Sequence, residues 1–252
     1  MHGEDPNQAE LRPPAIKGVM RFWWRAIHGD LSLPELKRQE SDLFGGVGDD
    51  TIRSSFRIKL SSTHLPSELI DVLSHRNDKF AHINGYKKDS KFILQFIGKN
   101  ATKIKQTINI FELTTILGGF GQRSRRGFGS VQIMDKNDKT IDLDYINNLI
   151  RNINSDFNYS PRILSAEQYP YIKQIELGND YTDLDALLKR ISSATHNHNE
   201  NGMFGSVNPR YASPVYISIL KNGANYIPII TTLNATKRIN LTKLSQFKQA
   251  IL

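Results

Sequence analysis

Apolar residues recur along the chain at two spacings, every third to fourth position and every second, and the alternation between them sets out the expected elements. Pro13-Pro14 opens a helix in which Ile16, Val19, Met20, Trp23 and Ile27 share one face, and Gly29 supplies a stop. The other face carries Lys17, Arg21, Arg25 and His28. Phe56, Ile58 and Leu60 alternate with Ser55, Arg57 and Lys59, which predicts a half-exposed strand over 54–60. Residues 61–90 are polar and turn-rich, and they read as a long loop with one helical turn near 67–73. Phe92, Leu94 and Phe96 predict a second strand, and Ile104, Ile108, Phe111 and Leu113 a second helix over 101–117. Val131 and Ile133 open a third strand.

Beyond a polar connection with a helix near 143–153, the pattern predicts a strand at 171–177 and a helix at 182–193. A mobile loop follows at 196–202, then a hairpin from 211–220 and 226–232, then a closing amphipathic helix over 241–252. The first half thus runs helix, strand, strand, helix, strand, which is the order of a ferredoxin-like α+β unit without its first strand. No strand is legible before Pro13. The second half reads as a degenerate copy, with the boundary between 1–140 and 141–252.

Composition narrows the chemistry. The 252 residues include no cysteine, which excludes a disulfide framework, a thiolate metal site and a cysteine nucleophile. No apolar run approaches the roughly 18 residues of a membrane span, and the start lacks a basic stretch leading into an apolar one. A soluble, cytoplasmic protein without membrane attachment is expected. The 33 Lys and Arg exceed the 25 Asp and Glu, giving a net charge of +8. That excess is local, because residues 91–130 alone carry +6 and Glu112 is the only acid from Lys91 to Arg126. An acidic partner follows from this clustering.

The stretch ends in Gly118-Gly119-Phe120-Gly121-Gln122-Arg123-Ser124-Arg125-Arg126-Gly127-Phe128-Gly129-Ser130, with five of the chain's 17 glycines. Glycine lets a ligand approach the backbone N–H groups, and arginine presents a planar fork of donors suited to phosphate. A Walker A loop is excluded, since no lysine is present and a helix rather than a strand comes before. A dinucleotide fingerprint would need glycine where Ser124 stands. The pattern points to a polyanion cradle.

Two segments resemble a known family. Leu11-Arg12-Pro13-Pro14-Ala15-Ile16-Lys17-Gly18-Val19-Met20-Arg21-Phe22-Trp23-Trp24-Arg25-Ala26, followed by Leu43-Phe44-Gly45-Gly46, is similar to the opening of the Cmr1 family of the RAMP superfamily. The Gly-x-Gly, three arginines and Gly-x-Gly of Gly119 to Gly129 resemble the glycine-rich loop of RAMP proteins. The resemblance implies one or two ferredoxin-like domains related to the RNA-recognition fold. It also implies a non-catalytic, RNA-binding subunit of a type III-B CRISPR ribonucleoprotein in antiviral defence, with guide or target RNA and other Cmr subunits as partners. Against that family His2-Gly3-Glu4-Asp5 would be the turn after a missing strand, leaving a sheet edge open to pairing with another chain.

The residues expected to meet RNA are Lys17, Arg21, Arg25, Arg57 and Lys59, together with Gly119, Gly121, Arg123, Ser124, Arg125, Arg126, Gly127 and Gly129 of the loop. These would contact phosphates without reading sequence. The alternative is a metal-independent, Cas6-like endoribonuclease with His28 as general base, or one of His64, His75 and His82, and the loop arginines stabilising a pentacovalent phosphate. His196 and His198 with Glu200, or the pair Asp49-Asp50, would be the only candidates for a metal nuclease. Neither pattern is marked out by spacing, so no metal and no cofactor are expected.

Overall fold

A computed structural model describes residues 9–47, 51–61, 65–72, 81–134, 140–161, 169–234 and 240–252. Among these residues six α-helices are present: α1 (Pro13–Ala26), α2 (Leu33–Phe44), α3 (Ala101–Leu117), α4 (Leu143–Ile153), α5 (Leu184–His198) and α6 (Leu241–Gln249). The strands are β1 (Arg57–Ser61), β2 (Ser67–Val72), β3 (Ala81–Tyr86), β4 (Ile93–Ile97), β5 (Ile172–Leu177), β6 (Ser206–Val207), β7 (Arg210–Tyr211), β8 (Val215–Asn222) and β9 (Asn225–Leu233). All pairings are antiparallel: β1 with β4, β2 with β3, β6 with β7, and a three-stranded sheet in the order β5-β9-β8. The α+β class expected from the apolar pattern is the class observed.

Local chemistry starts the helices where the sequence places the signals. Pro13 and Pro14 fill the first turn of α1, where a missing N–H leaves nothing unpaired. The side chains of Asn100, Asp142, Asp183 and Asn240 accept hydrogen bonds from the first-turn N–H groups of α3, α4, α5 and α6. Helix α1 then buries Ile16, Met20, Trp23, Trp24 and Ala26. They join a core shared with α2, α3 and α4 and with Ile172, Ile175, Tyr216 and Ile229 of the three-stranded sheet, so this core draws on both sides of residue 140. A smaller cluster on the other face of that sheet holds Leu187, Ile191, Phe204, Ile217, Ile230 and Phe247.

One chain of aromatic contacts runs through the larger core. Trp24 meets Phe44 at 6.2 Å between ring centroids, Phe44 meets Phe56 at 5.7 Å, Phe56 meets Phe96 at 6.1 Å and Phe96 meets Phe111 at 5.3 Å. Phe111 then reaches Phe120, the first aromatic of the glycine-rich loop, at 6.3 Å. Edge-on and tilted arrangements of this kind add to the burial of each ring.

Several expectations are corrected. Residues 67–72 and 81–86 form a hairpin rather than a loop with a helical turn; its strands are short, and none of their described side chains is fully buried, so no strong apolar alternation announces them. Helix α2, which the sequence pattern does not predict, buries only Leu36, Leu43 and Phe44 among its apolar side chains. No strand forms at 131–134, where Ile133 is 41% and Met134 74% exposed and no described strand lies alongside to pair with them. Helix α5 extends to His198, so His196 and His198 sit in its last turn rather than in a loop. The segment His2 to Asp5 lies outside the described residues.

Phe56 is the middle of the aromatic chain and almost fully buried. Replacing it with alanine is expected to destabilise the protein by about 3–5 kcal/mol. Urea unfolding checks this, and a decrease below about 1 kcal/mol would show that the rings do not work as one packed unit.

Candidate nucleic-acid interface

The glycine-rich loop leaves α3 at Gly118 and folds back on itself, Phe120 N–H donating to the Gly129 carbonyl at 2.9 Å. It then lies along the edge of β8 that β9 does not occupy. Gly127 N–H donates to the Ile217 carbonyl at 2.8 Å, Ile217 N–H donates to the Arg125 carbonyl at 3.2 Å, and Ile219 N–H donates to Ser130 Oγ at 3.0 Å. The closeness of this docking explains two glycines. At Gly127, with φ of +86°, a Cβ would stand 2.7 Å from Ile219 Cδ1, and at Gly129, with φ of +70°, it would collide with the Phe120 carbonyl. Arg123 also takes a positive φ, +54°, a conformation that non-glycine residues adopt at some cost and that clusters at functional sites.

The three loop arginines have different surroundings. Arg126 is a strut: Nη1 donates to the Val215 carbonyl at 3.1 Å and to the Arg125 carbonyl at 2.7 Å, and Nη2 donates to the Phe204 carbonyl. Burial, helped by the charges of Arg125 and Arg123, pulls its pKa down to about 10. It remains charged at neutral pH. Arg125 lies over the Tyr216 ring at 4.6 Å from the centroid. Arg123 is half-buried, and burial lowers its pKa. Among the described residues no carboxylate pairs with any of the three, so the loop holds an uncompensated positive cluster.

The basic stripe of α1 is engaged within the protein. Glu40 of α2, buried to 6% exposure, accepts from Arg25 through both Nε and Nη2, the latter at 2.7 Å. Arg21 Nε lies 3.0 Å from the same carboxylate as an ion pair without hydrogen-bond alignment, and its Nη2 donates to the Gly45 carbonyl at 2.9 Å beyond the end of α2. Lys17 sits 4.7 Å from the Phe56 ring centroid, its pKa lowered by burial and then by Arg21. A buried carboxylate with two guanidiniums is what a satisfied ionic clamp requires. Arg57 and Lys59 are exposed on β1, opposite Ile97 and Gln95 of β4.

The candidate histidines divide. His28 is 5% exposed, stacked on Trp24 at 4.0 Å, with Nδ1 2.6 Å from the Trp24 carbonyl. Since a carbonyl only accepts, Nδ1 carries the proton. Burial lowers the pKa of His28, the Trp24 carbonyl and Asp30 opposing it. His82 is exposed and pairs with Asp71 at 2.7 Å on the β2–β3 hairpin. His64, His75, Asp49 and Asp50 lie outside the described residues. Glu200 is held by Lys243 at 2.7 Å, and among the described residues no group of three or more His, Asp and Glu could hold a metal ion.

The structure therefore brings Gly119, Gly121, Arg123, Ser124, Arg125, Arg126, Gly127 and Gly129 into one docked loop. The loop meets α1 at Tyr216, whose ring contacts Phe22 at 5.3 Å and Trp23 at 5.0 Å. Glu40, Phe22 and Tyr216 were not legible as site residues. Glu40 lies in the unread helix, and an aromatic in a strand pattern reads as core.

Comparisons with known proteins fit this arrangement. The RAMP superfamily model matches residues 3–132, which spans the α1 stripe and the whole loop. The chain belongs to the RAMP superfamily. Among curated relatives it is 29% identical over 145 residues to the CRISPR system Cmr subunit Cmr1-1 of Pyrococcus furiosus, covering 50% of this chain but only 41% of that protein. It is 26% identical over 164 residues to Cmr1-2 of the same organism, covering 53% of this chain and 88% of that protein. The crystal structure of apo Cmr1 from Pyrococcus furiosus superposes with a TM-score of 0.62, covering 96% of this chain and 88% of that chain at 18% identity, which shows a shared fold. The family resemblance carried by the opening segment and the loop is borne out. No helix among the described residues is long and apolar enough to cross a membrane.

Two measurements check the site's construction. Arg126→Ala removes a buried strut and leaves the Val215 and Phe204 carbonyls short of a donor, so it should cost about 2–4 kcal/mol in chemical denaturation, whereas Arg123→Ala should cost under about 1 kcal/mol. Equal costs would contradict the division of roles. The lowered pKa of His28 means that the unfolded chain takes up a proton before the folded one does. Stability from this group is thus present above the ordinary histidine value of about 6.5 and is lost as pH falls through that value toward the folded pKa. Stability of His28→Gln measured between neutral and mildly acidic pH should fall less steeply than that of the wild type.

Proposed function

We propose that the protein is an RNA-backbone-binding subunit of a CRISPR Cmr ribonucleoprotein, with the Gly-Arg loop as the principal contact and guide or target RNA as its ligand. The observation that carries this reading is the arginine cluster without a carboxylate: a buried or half-buried positive cluster is relieved by an external polyanion, and RNA phosphates supply charge at the spacing of a chain. Its relatives are named as Cmr subunits, which supports membership of such an assembly with other Cmr subunits. We further read each half as ferredoxin-like. In the second, β5, α5, β8, β9 and α6 follow the order strand, helix, strand, strand, helix, with β5 beside β9.

The geometry revises which residues carry the contact. Arg21 and Arg25 are committed to Glu40, and Arg126 to backbone carbonyls, which leaves Arg123, Ser124 and Arg125 of the loop, Lys17, and Arg57 and Lys59 on β1 to face phosphate. A nuclease on this site lacks an accessible base at His28, whose ring is enclosed and whose Nδ1 is bonded to a carbonyl.

The test is RNA affinity as a function of salt. Changing Arg123 and Arg125 together to glutamine, with Arg126 retained to keep the loop docked, should weaken binding to all single-stranded sequences alike. It should also flatten the log–log salt slope by about 0.7 for each phosphate that the two side chains neutralise. An unchanged slope would remove the loop as the contact. For the nuclease reading, the protein is incubated with repeat RNA in EDTA, and the expected result is intact RNA. Cleavage abolished by His28→Ala would overturn the non-catalytic assignment.

A further inference from the structure

We propose that Arg125, whose guanidinium lies over the Tyr216 ring beside Phe22, is a stacking seat for one nucleobase of single-stranded RNA; this deepens the RNA-binding reading above and rests on it. Three arginines share the loop, and only Arg125 has the surroundings of a platform. The fork of Arg126 is filled by carbonyls on three residues. Arg123 has no described aromatic contact. Arg125 has its guanidinium carbon over the Tyr216 ring, 4.6 Å from the centroid, and its backbone is pinned by the hydrogen bond from Ile217 N–H.

The ring beneath it is fixed in turn. Phe22 approaches Tyr216 at 5.3 Å and 35°, Trp23 approaches at 5.0 Å and 67°, and the strand pairing of Tyr216 with Thr231 holds the backbone. Burial pushes the Tyr216 phenol up, with Arg125 pulling it back, so the ring is neutral at physiological pH. A guanidinium held this way offers two directions of recognition at right angles. Its edge donates hydrogen bonds in the plane, as a phosphate needs, and the face turned away from Tyr216 is the one a base would stack on. Stacking is indifferent to base identity, because every base has a π-face, but it requires a base that is not already stacked in a duplex. The seat therefore selects for single-stranded RNA without selecting its sequence.

The test compares the full chain's affinity for a short single-stranded RNA with its affinity for the same strand carrying abasic sites, at one salt concentration, by fluorescence anisotropy. The wild type should bind the base-bearing strand at least about fivefold more tightly. Arg125→Lys keeps the charge and removes the plane, so it should bring that ratio close to one while leaving the salt slope in place. Tyr216→Phe keeps the ring and should keep the ratio, and its circular dichroism should match the wild type. Equal binding of the two strands by the wild type, or an undiminished ratio in Arg125→Lys, overturns the seat and leaves phosphate binding standing. Failure of the wild type to bind either strand, as for a loop whose partner is a protein, brings down the underlying reading and the seat together.

Discussion

A guanidinium buried without a carboxylate organises this molecule. Arg126 stays charged in a place that strongly disfavours charge, and what makes this tolerable is a set of carbonyls: that of its neighbour Arg125 and, from distant parts of the chain, those of Phe204 before β6 and Val215 at the start of β8. Meeting those acceptors brings the loop against the edge of β8. From there the remaining geometry follows, because docking fixes Arg125 over Tyr216 and aligns Gly127 and Ser130 with the strand. It also covers a row of backbone groups that an open sheet edge would present to other chains.

A second ionic arrangement solves the opposite problem. Glu40 is a buried anion, and Arg21 and Arg25 answer it while Arg21 also satisfies a carbonyl beyond the end of α2. Two cations that share one face of an amphipathic helix thus act as a clamp between two helices, where a count of charges would assign them to a solvent-facing binding stripe. The contrast between Glu40, enclosed by cations, and Arg126, enclosed by cations and carbonyls only, separates a clamp of paired charges from a cluster without a carboxylate partner.

The sequence made legible whatever is written in apolar period or local capping. α1, α3 and α4 are recognisable from repeating apolar positions, α1 also from Pro13-Pro14 at its start, and β5, β8 and β9 from apolar runs. The loop is legible through its composition, since few contexts place three arginines among five glycines. What escaped notice depends on partners distant in sequence. The hairpin of β2 and β3 has no fully buried side chain among those described, α2 presents a thin apolar stripe, and the division of labour among Arg123, Arg125 and Arg126 is decided by which of them meets Phe204, Val215 or Tyr216, some 78 to 91 residues further on.

The separation in sequence between Arg126 and its acceptors has a consequence for how the protein comes into being. The loop emerges from synthesis well before residues 204 to 217 exist, and until β8 is laid down its arginine forks and glycine N–H groups have nothing to dock against. Contacts of such long range form late because a large loop must close first. The docked form of the loop is therefore assembled only once β8, which carries its strand partners, is in place. The docked arginine loop is a property of the finished molecule, withheld by topology from its early fragments.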